Sequence, residues 1–235
     1  MAYVAIDSNT GQRIEALLAE PAGESRTGGL IVLHEWWGLT AQIEDTCTRF
    51  AEQGLLVVAP DLYHGKRPET AQHAASLALS LDRQNAMLEI AAAVGFVRSH
   101  ARCNGKVGIT GFCLGGAFAF ECARFLDGIH AVVPFYGVPR RLVATDAYAR
   151  VRVPIQAHFA RNDDWAKVSD AEVIEQAIRA GGGQMELLVY DANHAFMRTT
   201  DKHVYHPTCA ELAWRRANEF LKLHLGSERP DNPPA

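Results

Sequence analysis

The sequence lacks both a long hydrophobic run and a surplus of charge of either sign. No apolar stretch approaches the ~20 residues that a bilayer-spanning helix needs, so we expect no membrane association. The 27 acidic and 23 basic residues are mixed along the 235-residue chain and leave a net charge of −4, which gives no electrostatic footprint for nucleic acid. The first ten residues lack the basic and apolar regions of a secretory signal. We therefore expect a cytoplasmic protein that binds neither membranes nor nucleic acid.

The chain also lacks paired cysteines and zinc-type spacings. Its five cysteines contain no CxxC pair, whereas disulfide frameworks more often show an even count in a shorter chain. His203 and His206 form HxxH, but no acidic residue or cysteine lies at a spacing typical of zinc sites. We expect no metal and no cofactor. Four cysteines are assigned to packing: Cys47, Cys122 and Cys209 in helices and Cys103 in a loop.

What the sequence does contain is a regular alternation of strand and helix patterns. Eight short apolar or alternating runs predict strands: Tyr3–Asp7, Arg13–Glu20, Leu30–His34, Leu55–Ala59, Val107–Thr110, Ala131–Phe135, Ile155–Phe159 and Met185–Tyr190. An SNTG turn signal between the first two indicates an antiparallel hairpin at one edge. Helical patterns fill the gaps, over Ala41–Gln53, residues 70–100 as one or two helices, residues 116–126, the run after Ser169, and Cys209–Leu225.

This alternation predicts the architecture and the place of the active site. It is typical of an α/β fold, here one domain over residues 1–225 with a mostly parallel, eight-stranded sheet and helices on both faces. The tail at residues 226–235 is rich in Pro and charge and is predicted to be disordered. Active sites in such folds lie outside the carboxyl ends of the strands.

The sharpest motif is Gly111-Phe112-Cys113-Leu114-Gly115, between the predicted strand KVGIT and the helical stretch GAFAFECARFL. It has the form G-x-nucleophile-x-G of a nucleophile elbow, with Cys in place of the usual Ser. A strand-to-helix turn this tight strains its central residue, and Gly avoids clashes at the flanking positions. It places the Leu114 N–H at a helix N-terminus, where it stabilises an oxyanion. Alone, the motif fits equally a buried cysteine beside a packing turn.

Two further side chains complete a candidate triad. A free thiol has a pKa of ~8.5 and is mostly un-ionised at neutral pH, so it needs a base. ARNDD follows one predicted strand and ANHAF follows the next, which gives the order nucleophile, acid, histidine. We predict that His194 takes the proton of Cys113 and that Asp163 orients the imidazole. Asp164 remains an alternative to Asp163, and ordinary surface roles remain the alternative for both loops.

A fourth element is HEWWG, residues 34–38, which follows the third predicted strand. A loop at this place supplies the second N–H of an oxyanion hole, here that of Trp36. Glu35 is then expected over the nucleophile, and Trp36 and Trp37 are candidates for the wall of an apolar substrate pocket. A surface glutamate and two core tryptophans are the alternative interpretation.

HEWWG, APDLYHG, GKVGITGFCLGG, ARNDD and NHAFMR together resemble the dienelactone hydrolase family of α/β-hydrolases, from the third predicted strand to the last helix. The resemblance implies the α/β-hydrolase fold, a triad of Cys113, Asp163 and His194, and an acidic residue, Glu35, that holds the resting thiol and helps to form the thiolate once substrate binds. It implies a carboxymethylenebutenolidase-type ester hydrolase that opens small anionic lactones or esters, as in conversion of dienelactone to maleylacetate, through a thioester acyl-enzyme. Arg198 matches a family arginine that binds the substrate carboxylate.

The chain departs from the family pattern at one point. The best-known members have a second substrate-binding arginine between the APDLY strand and the long helix, where this sequence has KRPETAQHAASLALSLDRQ. Arg67 and Arg83 are the candidates in that stretch, and neither has a secure alignment. With one arginine only, preference for the usual dienelactone substrates is in question.

A second function stays open at this point: a redox-responsive or ligand-binding protein of the same fold, with Cys113 as a sensor thiol. An exposed, low-pKa thiol beside a histidine is also what peroxide attacks. No resolving cysteine is evident, because Cys122 is expected to face the core. Nothing in the sequence demands more than a monomer, which is the oligomeric state we expect.

Overall fold

A computed structural model describes residues 1–8, 11, 13–139 and 147–226 of the chain. The eight strands are β1 (Ala2–Asp7), β2 (Arg13–Ala19), β3 (Thr27–Leu33), β4 (Leu56–Pro60), β5 (Cys103–Phe112), β6 (Ala131–Phe135), β7 (Ile155–Asn162) and β8 (Met185–Asn193). The six helices are α1 (Ala41–Glu52), α2 (Ala71–Ser80), α3 (Arg83–Ser99), α4 (Leu114–Phe125), α5 (Val168–Ala180) and α6 (Pro207–Leu225). All eight predicted strands are confirmed, and the helix-prone stretch over residues 70–100 forms two helices.

The strands form one sheet in the order β1-β2-β4-β3-β5-β6-β7-β8. Strands β1 and β2 pair antiparallel, as the turn signal predicts, and β2 also pairs antiparallel with β4. The pairs from β4 through β3, β5, β6 and β7 to β8 are all parallel. The carboxyl ends of β3 and of β5 to β8 therefore meet at one edge of the sheet, where a site is expected.

The core consists of two layers, one on each face of the sheet. Successive strand residues point to opposite faces, so Ile31 and Leu33 pack in one layer while Leu30 and Val32 pack in the other. The first layer is covered by α3, α4 and α5, and the second by α1 and α6. The expectation of helices on both faces is confirmed.

One expectation is wrong, a second lies almost entirely outside the described residues, and a third concerns membrane-spanning helices. Cys103 does not lie in a loop: it begins β5, is fully buried and pairs with Thr27, and the irregularity at the following Asn-Gly is a register shift within the strand. The tail predicted over residues 226–235 lies outside the described residues except for Gly226. Among the described helices, none is long and apolar enough to cross a membrane.

Candidate active site

Cys113 is the single residue between β5 and α4. Its backbone has φ 54° and ψ −111°, a conformation that costs a non-glycine residue on the order of 1–3 kcal/mol and persists only where its surroundings enforce it. Two hydrogen bonds do so: the Cys113 N–H donates to the carbonyl of Phe135 at 3.0 Å, and its carbonyl accepts from the Ala117 N–H at 3.1 Å. The strained turn predicted from the motif is present.

The glycines on both sides of Cys113 are required by close backbone contacts. A Cβ on Gly111 would lie 2.3 Å from the carbonyl oxygen of Gly115, and a Cβ on Gly115 would lie 2.2 Å from that of Leu33. Sequence reasoning missed a third such glycine, Gly137, whose Cβ would lie 2.0 Å from the carbonyl oxygen of Cys113. The backbone of the elbow therefore packs in close contact with both β3 and the residues that follow β6.

The register of the sheet brings the predicted triad residues together. Asn162 at the end of β7 pairs with Asn193 at the end of β8, so the next residues, Asp163 and His194, are neighbours. The Nδ1 atom of His194 lies 2.7 Å from Asp163 Oδ2, and its Nε2 atom lies 3.2 Å from Cys113 Sγ. Both distances are within hydrogen-bond reach. They are those expected between a nucleophile and its base, and between that base and the acid that orients it.

Asp163, and not Asp164, faces the histidine. The side chain of Asp163 is fully buried, while Asp164 is exposed. Its second oxygen, Oδ1, accepts hydrogen bonds from the N–H groups of Trp165 at 2.8 Å and Ala166 at 2.9 Å. The carboxylate is therefore held from one side by the backbone of its own loop and presents the other oxygen to His194.

The electrostatics of His194 favour its charged form. Burial disfavours the imidazolium most strongly, but the hydrogen bonds and charges of Asp163 and Cys113 together outweigh it and raise the pKa of His194 to about 10. An imidazolium between a carboxylate and a sulfur is the partner that a thiolate needs.

Glu35 reaches the same edge of the sheet from β3. Leu33 pairs with Gly111 in the parallel register, so Glu35 and Cys113 each lie two residues past that pair. The buried His34 fixes the loop: its Nδ1–H donates to the Glu35 carbonyl at 2.6 Å, and its Nε2 accepts from the Leu62 N–H at 3.2 Å. Burial lowers the pKa of His34, which keeps this imidazole neutral.

The Glu35 carboxyl is buried and has two partners. The Tyr136 hydroxyl donates to its Oε1 atom at 3.4 Å, and its Oε2 atom lies 3.9 Å from Arg198 Nη1. Burial raises the pKa of Glu35, while Arg198, His194 and Tyr136 act in the opposite direction. Among the described residues no hydrogen bond joins Glu35 to Cys113, whose sulfur faces His194 instead.

Arg198 contacts more than Glu35. Its Nη2 atom lies 2.5 Å from Asp201 Oδ2, and its guanidinium carbon lies 5.9 Å from the centre of the Trp37 ring. The two candidates for a second substrate arginine are elsewhere: Arg67 pairs with the buried Asp61 at 2.8 Å, and Arg83 pairs with Glu121 at 2.7 Å. Neither of them lines the cavity at Cys113.

These side chains surround a cavity of about 200 Å³. Its lining combines the thiol and the imidazole with one arginine and three tryptophans; the lining residues are Glu35, Trp36, Trp37, Cys113, Trp165, His194, Ala195, Arg198 and Val204. The N–H of Leu114 is free of an acceptor within its helix because Leu114 is the first helical residue. The Trp36 N–H makes no backbone hydrogen bond within the described part of the chain.

Sequence reasoning missed three residues of this site. Tyr136 comes directly after β6, and Cys113 comes directly after β5. Because the last residues of these strands, Phe135 and Phe112, pair with each other, Tyr136 lies beside Cys113. Its ring packs edge-on against that of His194, with 5.2 Å between the ring centres. Trp165 lies two residues past Asp163, and Asp201 three residues past Arg198; only their nearness in sequence to predicted residues pointed to them. In the part of the chain that the structure describes, no three His, Cys, Asp or Glu side chains are grouped to hold a metal ion.

The sheet order, the elbow and the thiol–imidazole–carboxylate arrangement define a hydrolase of the α/β-hydrolase class. The model of the "Dienelactone hydrolase family" matches residues 14–225, and the chain belongs to this family, which makes it a carboxylic ester hydrolase. It is 34% identical over 208 residues to "Protein usf" of Aquifex pyrophilus, covering 84% of this chain and 88% of that one. It is 28% identical to "Carboxymethylenebutenolidase" of Pseudomonas putida, covering 97% and 98%. A dienelactone hydrolase-like promiscuous phosphotriesterase from metagenomic libraries has the same fold, with a TM-score of 0.85 at 19% identity, over 96% of this chain and 99% of that chain.

Proposed function

We propose that the protein hydrolyses small lactones or esters through a thioester acyl-enzyme on Cys113. The observation that carries the proposal is the contact of Cys113 Sγ with His194 Nε2 at 3.2 Å, at a strained elbow and with Asp163 behind the imidazole. The names of relatives such as carboxymethylenebutenolidase support a lactone as substrate.

Acylation begins in one of two ways. The thiol of Cys113 transfers its proton to His194, or the thiolate is already present and paired with the imidazolium. Sγ attacks the carbonyl carbon, and the N–H groups of Leu114 and Trp36 stabilise the oxyanion that develops. The carbon–oxygen bond to the leaving group then breaks, and the leaving oxygen takes the proton from His194 Nε2. In a lactone this leaving enol stays tethered to the acyl group.

Deacylation reverses the roles. His194 accepts a proton from water, the hydroxide attacks the thioester carbonyl, and the carbon–sulfur bond breaks to give the acid and the thiolate. A thiolate is a good leaving group and can be expelled again from the tetrahedral intermediate of acylation. Acylation therefore proceeds only when the substrate's own leaving group departs as easily, which suits esters with stabilised enol or phenol leaving groups better than amides.

Arg198 is the group that favours an anionic substrate. It lines the cavity, and its Nε atom has no hydrogen-bond acceptor among the described residues. A substrate carboxylate beside it would gain a charge-assisted contact. The Nη atoms of the guanidinium already contact Asp201 and Glu35, which leaves Nε as the free donor, so we propose that one carboxylate, and not two, is accommodated.

Steady-state hydrolysis of cis- and trans-dienelactone and of p-nitrophenyl acetate tests the proposal. We compare the wild type with Cys113→Ala and use Cys209→Ala as the matched control, because Cys209 is a half-exposed thiol on α6 outside the cavity. Turnover that is lost with Cys113→Ala and kept with Cys209→Ala, with an acyl adduct on Cys113 of the wild type by mass spectrometry, is expected.

Other outcomes are distinguishable. Turnover of the simple ester alone, still dependent on Cys113, would keep the nucleophile and reject dienelactone as substrate. Turnover that survives Cys113→Ala, which removes the nucleophilic atom, would reject the nucleophile. A sensor thiol without turnover is disfavoured by family membership and by the buried position of Cys122, which leaves no resolving partner there.

A further inference from the structure

Trp165 is an exposed tryptophan at the mouth of the cavity. Its exposed fraction is 75%, although a large aromatic surface in water is unfavourable. Single exposed apolar residues need no explanation, but Trp165 is continuous with an aromatic wall. Its ring lies 6.0 Å from that of Trp36, which lies 5.5 Å from that of Trp37.

The position of this ring is set by the sheet. Trp165 follows β7 and Trp36 follows β3, and β5 and β6 lie between those strands. The two indoles therefore bridge the carboxyl edge above β5, the strand that carries Cys113. The exposed indole borders the space next to the thiol.

The backbone of Trp165 is tied to the catalytic residues. Its N–H donates to Asp163 Oδ1, and Asp163 Oδ2 contacts His194. The indole of Trp165 therefore belongs to the same loop as Asp163, which holds the imidazole of His194 in place. In the proposed acylation step the leaving oxygen takes its proton from His194, so the leaving group must lie on this side of the thiol.

We propose that Trp165 is a specificity-determining residue that stacks on the planar leaving group of aryl and enol esters. The inference rests on the proposed function and adds to it the substrate class: esters whose leaving group is a flat, conjugated ring or enol. Such a group covers the exposed indole, and offset stacking between flat π-systems is favourable beyond the area that it buries.

Two acetate esters with different leaving groups test the proposal. 2-Naphthyl acetate has a flat aromatic leaving group and 2,2,2-trifluoroethyl acetate an activated but non-planar one, and both give the same acetyl-Cys113. We compare Trp165→Leu, which removes the π-face, with Trp165→Phe, which keeps one, and use Phe125→Leu as control because Phe125 is 63% exposed and lies outside the cavity.

We expect Trp165→Leu to lower kcat/KM for the naphthyl ester about fivefold relative to the trifluoroethyl ester, and Trp165→Phe to restore at least half of that ratio. Deacylation of the shared acetyl-enzyme should not change. A ratio equal to that of the wild type, or an equal loss for both esters, would overturn the inference and leave the proposed function intact. A wild type without Cys113-dependent turnover of either ester would overturn the proposed function itself.

Discussion

Asp163→Asn is a sharp test of the triad because the structure dictates how the amide must sit. Asp163 Oδ1 accepts two backbone N–H groups, from Trp165 and Ala166. The asparagine keeps its carbonyl oxygen there and turns its NH₂ group to His194. An NH₂ donor requires His194 Nδ1 to accept, which places the imidazole proton on Nε2, opposite Cys113 Sγ. That tautomer cannot take the proton of the thiol.

The size of the effect follows from the charge on His194. Its pKa of about 10, against an ordinary 6.5, corresponds to about 5 kcal/mol of net preference for the imidazolium. Both Asp163 and Cys113 contribute to this preference of His194 for the charged form. Loss of its part, together with the wrong tautomer, is expected to reduce kcat/KM on the order of 10³-fold, or about 4 kcal/mol of transition-state stabilisation.

The assay is initial-rate hydrolysis of p-nitrophenyl acetate at neutral pH, with thermal unfolding to show that each variant is folded. Asp164→Asn is the matched control, since this neighbour is exposed, and it should retain wild-type activity. Activity of Asp163→Asn within about tenfold of the wild type would refute the argument from the tautomer. A large loss in Asp164→Asn instead would make Asp164 the orienting carboxylate.

Three further predictions concern the elbow, the buried carboxyl and the pH range. Gly115→Ala should lower the free energy of unfolding by about 3 kcal/mol, because its Cβ would lie 2.2 Å from a backbone oxygen of β3. Gly95→Ala in α3 is the control: its Cβ would meet nothing within 4 Å, and it should raise the free energy of unfolding by about 0.5 kcal/mol. Urea unfolding measures both. Tyr136→Phe removes the hydroxyl whose hydrogen bond lowers the pKa of Glu35, so we expect the Glu35 carboxyl to titrate at higher pH, and an unmoved titration of the labelled carboxyl by NMR would contradict this. Because the pKa of His194 is raised on folding, its contribution to stability is full below pH 6.5 and lost as pH rises through about 10; the unfolding free energies of wild type and His194→Gln should converge over that range.

The strands were predictable from sequence because most are buried on both faces, which requires runs of apolar side chains. The carboxyl ends of β5, β7 and β8 were predicted two or three residues too short. β7 continues past its apolar run to Asn162 and β8 to Asn193, because parallel neighbours keep exchanging hydrogen bonds after the side chains turn polar. Cys103 was misplaced for a related reason: Asn-Gly indicates a turn, whereas here Gly105, with φ 94°, produces an irregularity inside β5.

The candidate site divides in the same way. Cys113, Asp163 and His194 each come directly after a strand, so position along the chain was enough to make them candidates, although it left Asp164 open beside Asp163. Tyr136 also comes directly after a strand, but its relation to Glu35 depends on the pairing of Phe112 with Phe135, and one sequence does not specify which residues of two parallel strands lie side by side.

The charge balance of the cavity is the property least accessible from sequence. NHAFMR offers Arg198 as a free cation for a substrate carboxylate, yet the folded chain brings Asp201 to 2.5 Å and Glu35 to 3.9 Å from its guanidinium. The sequence also offers Arg67 and Arg83 as candidates for a second substrate-binding arginine. In the structure they form ion pairs outside the cavity, with Asp61 and Glu121 respectively. A first substrate carboxylate can use the Nε atom of Arg198, which has no acceptor among the described residues. A second carboxylate would find no further arginine among the described residues that line the cavity, and its repulsion from Glu35 would oppose binding. We therefore expect discrimination between mono- and dianionic substrates, which would arise from ion pairs that only the tertiary structure creates.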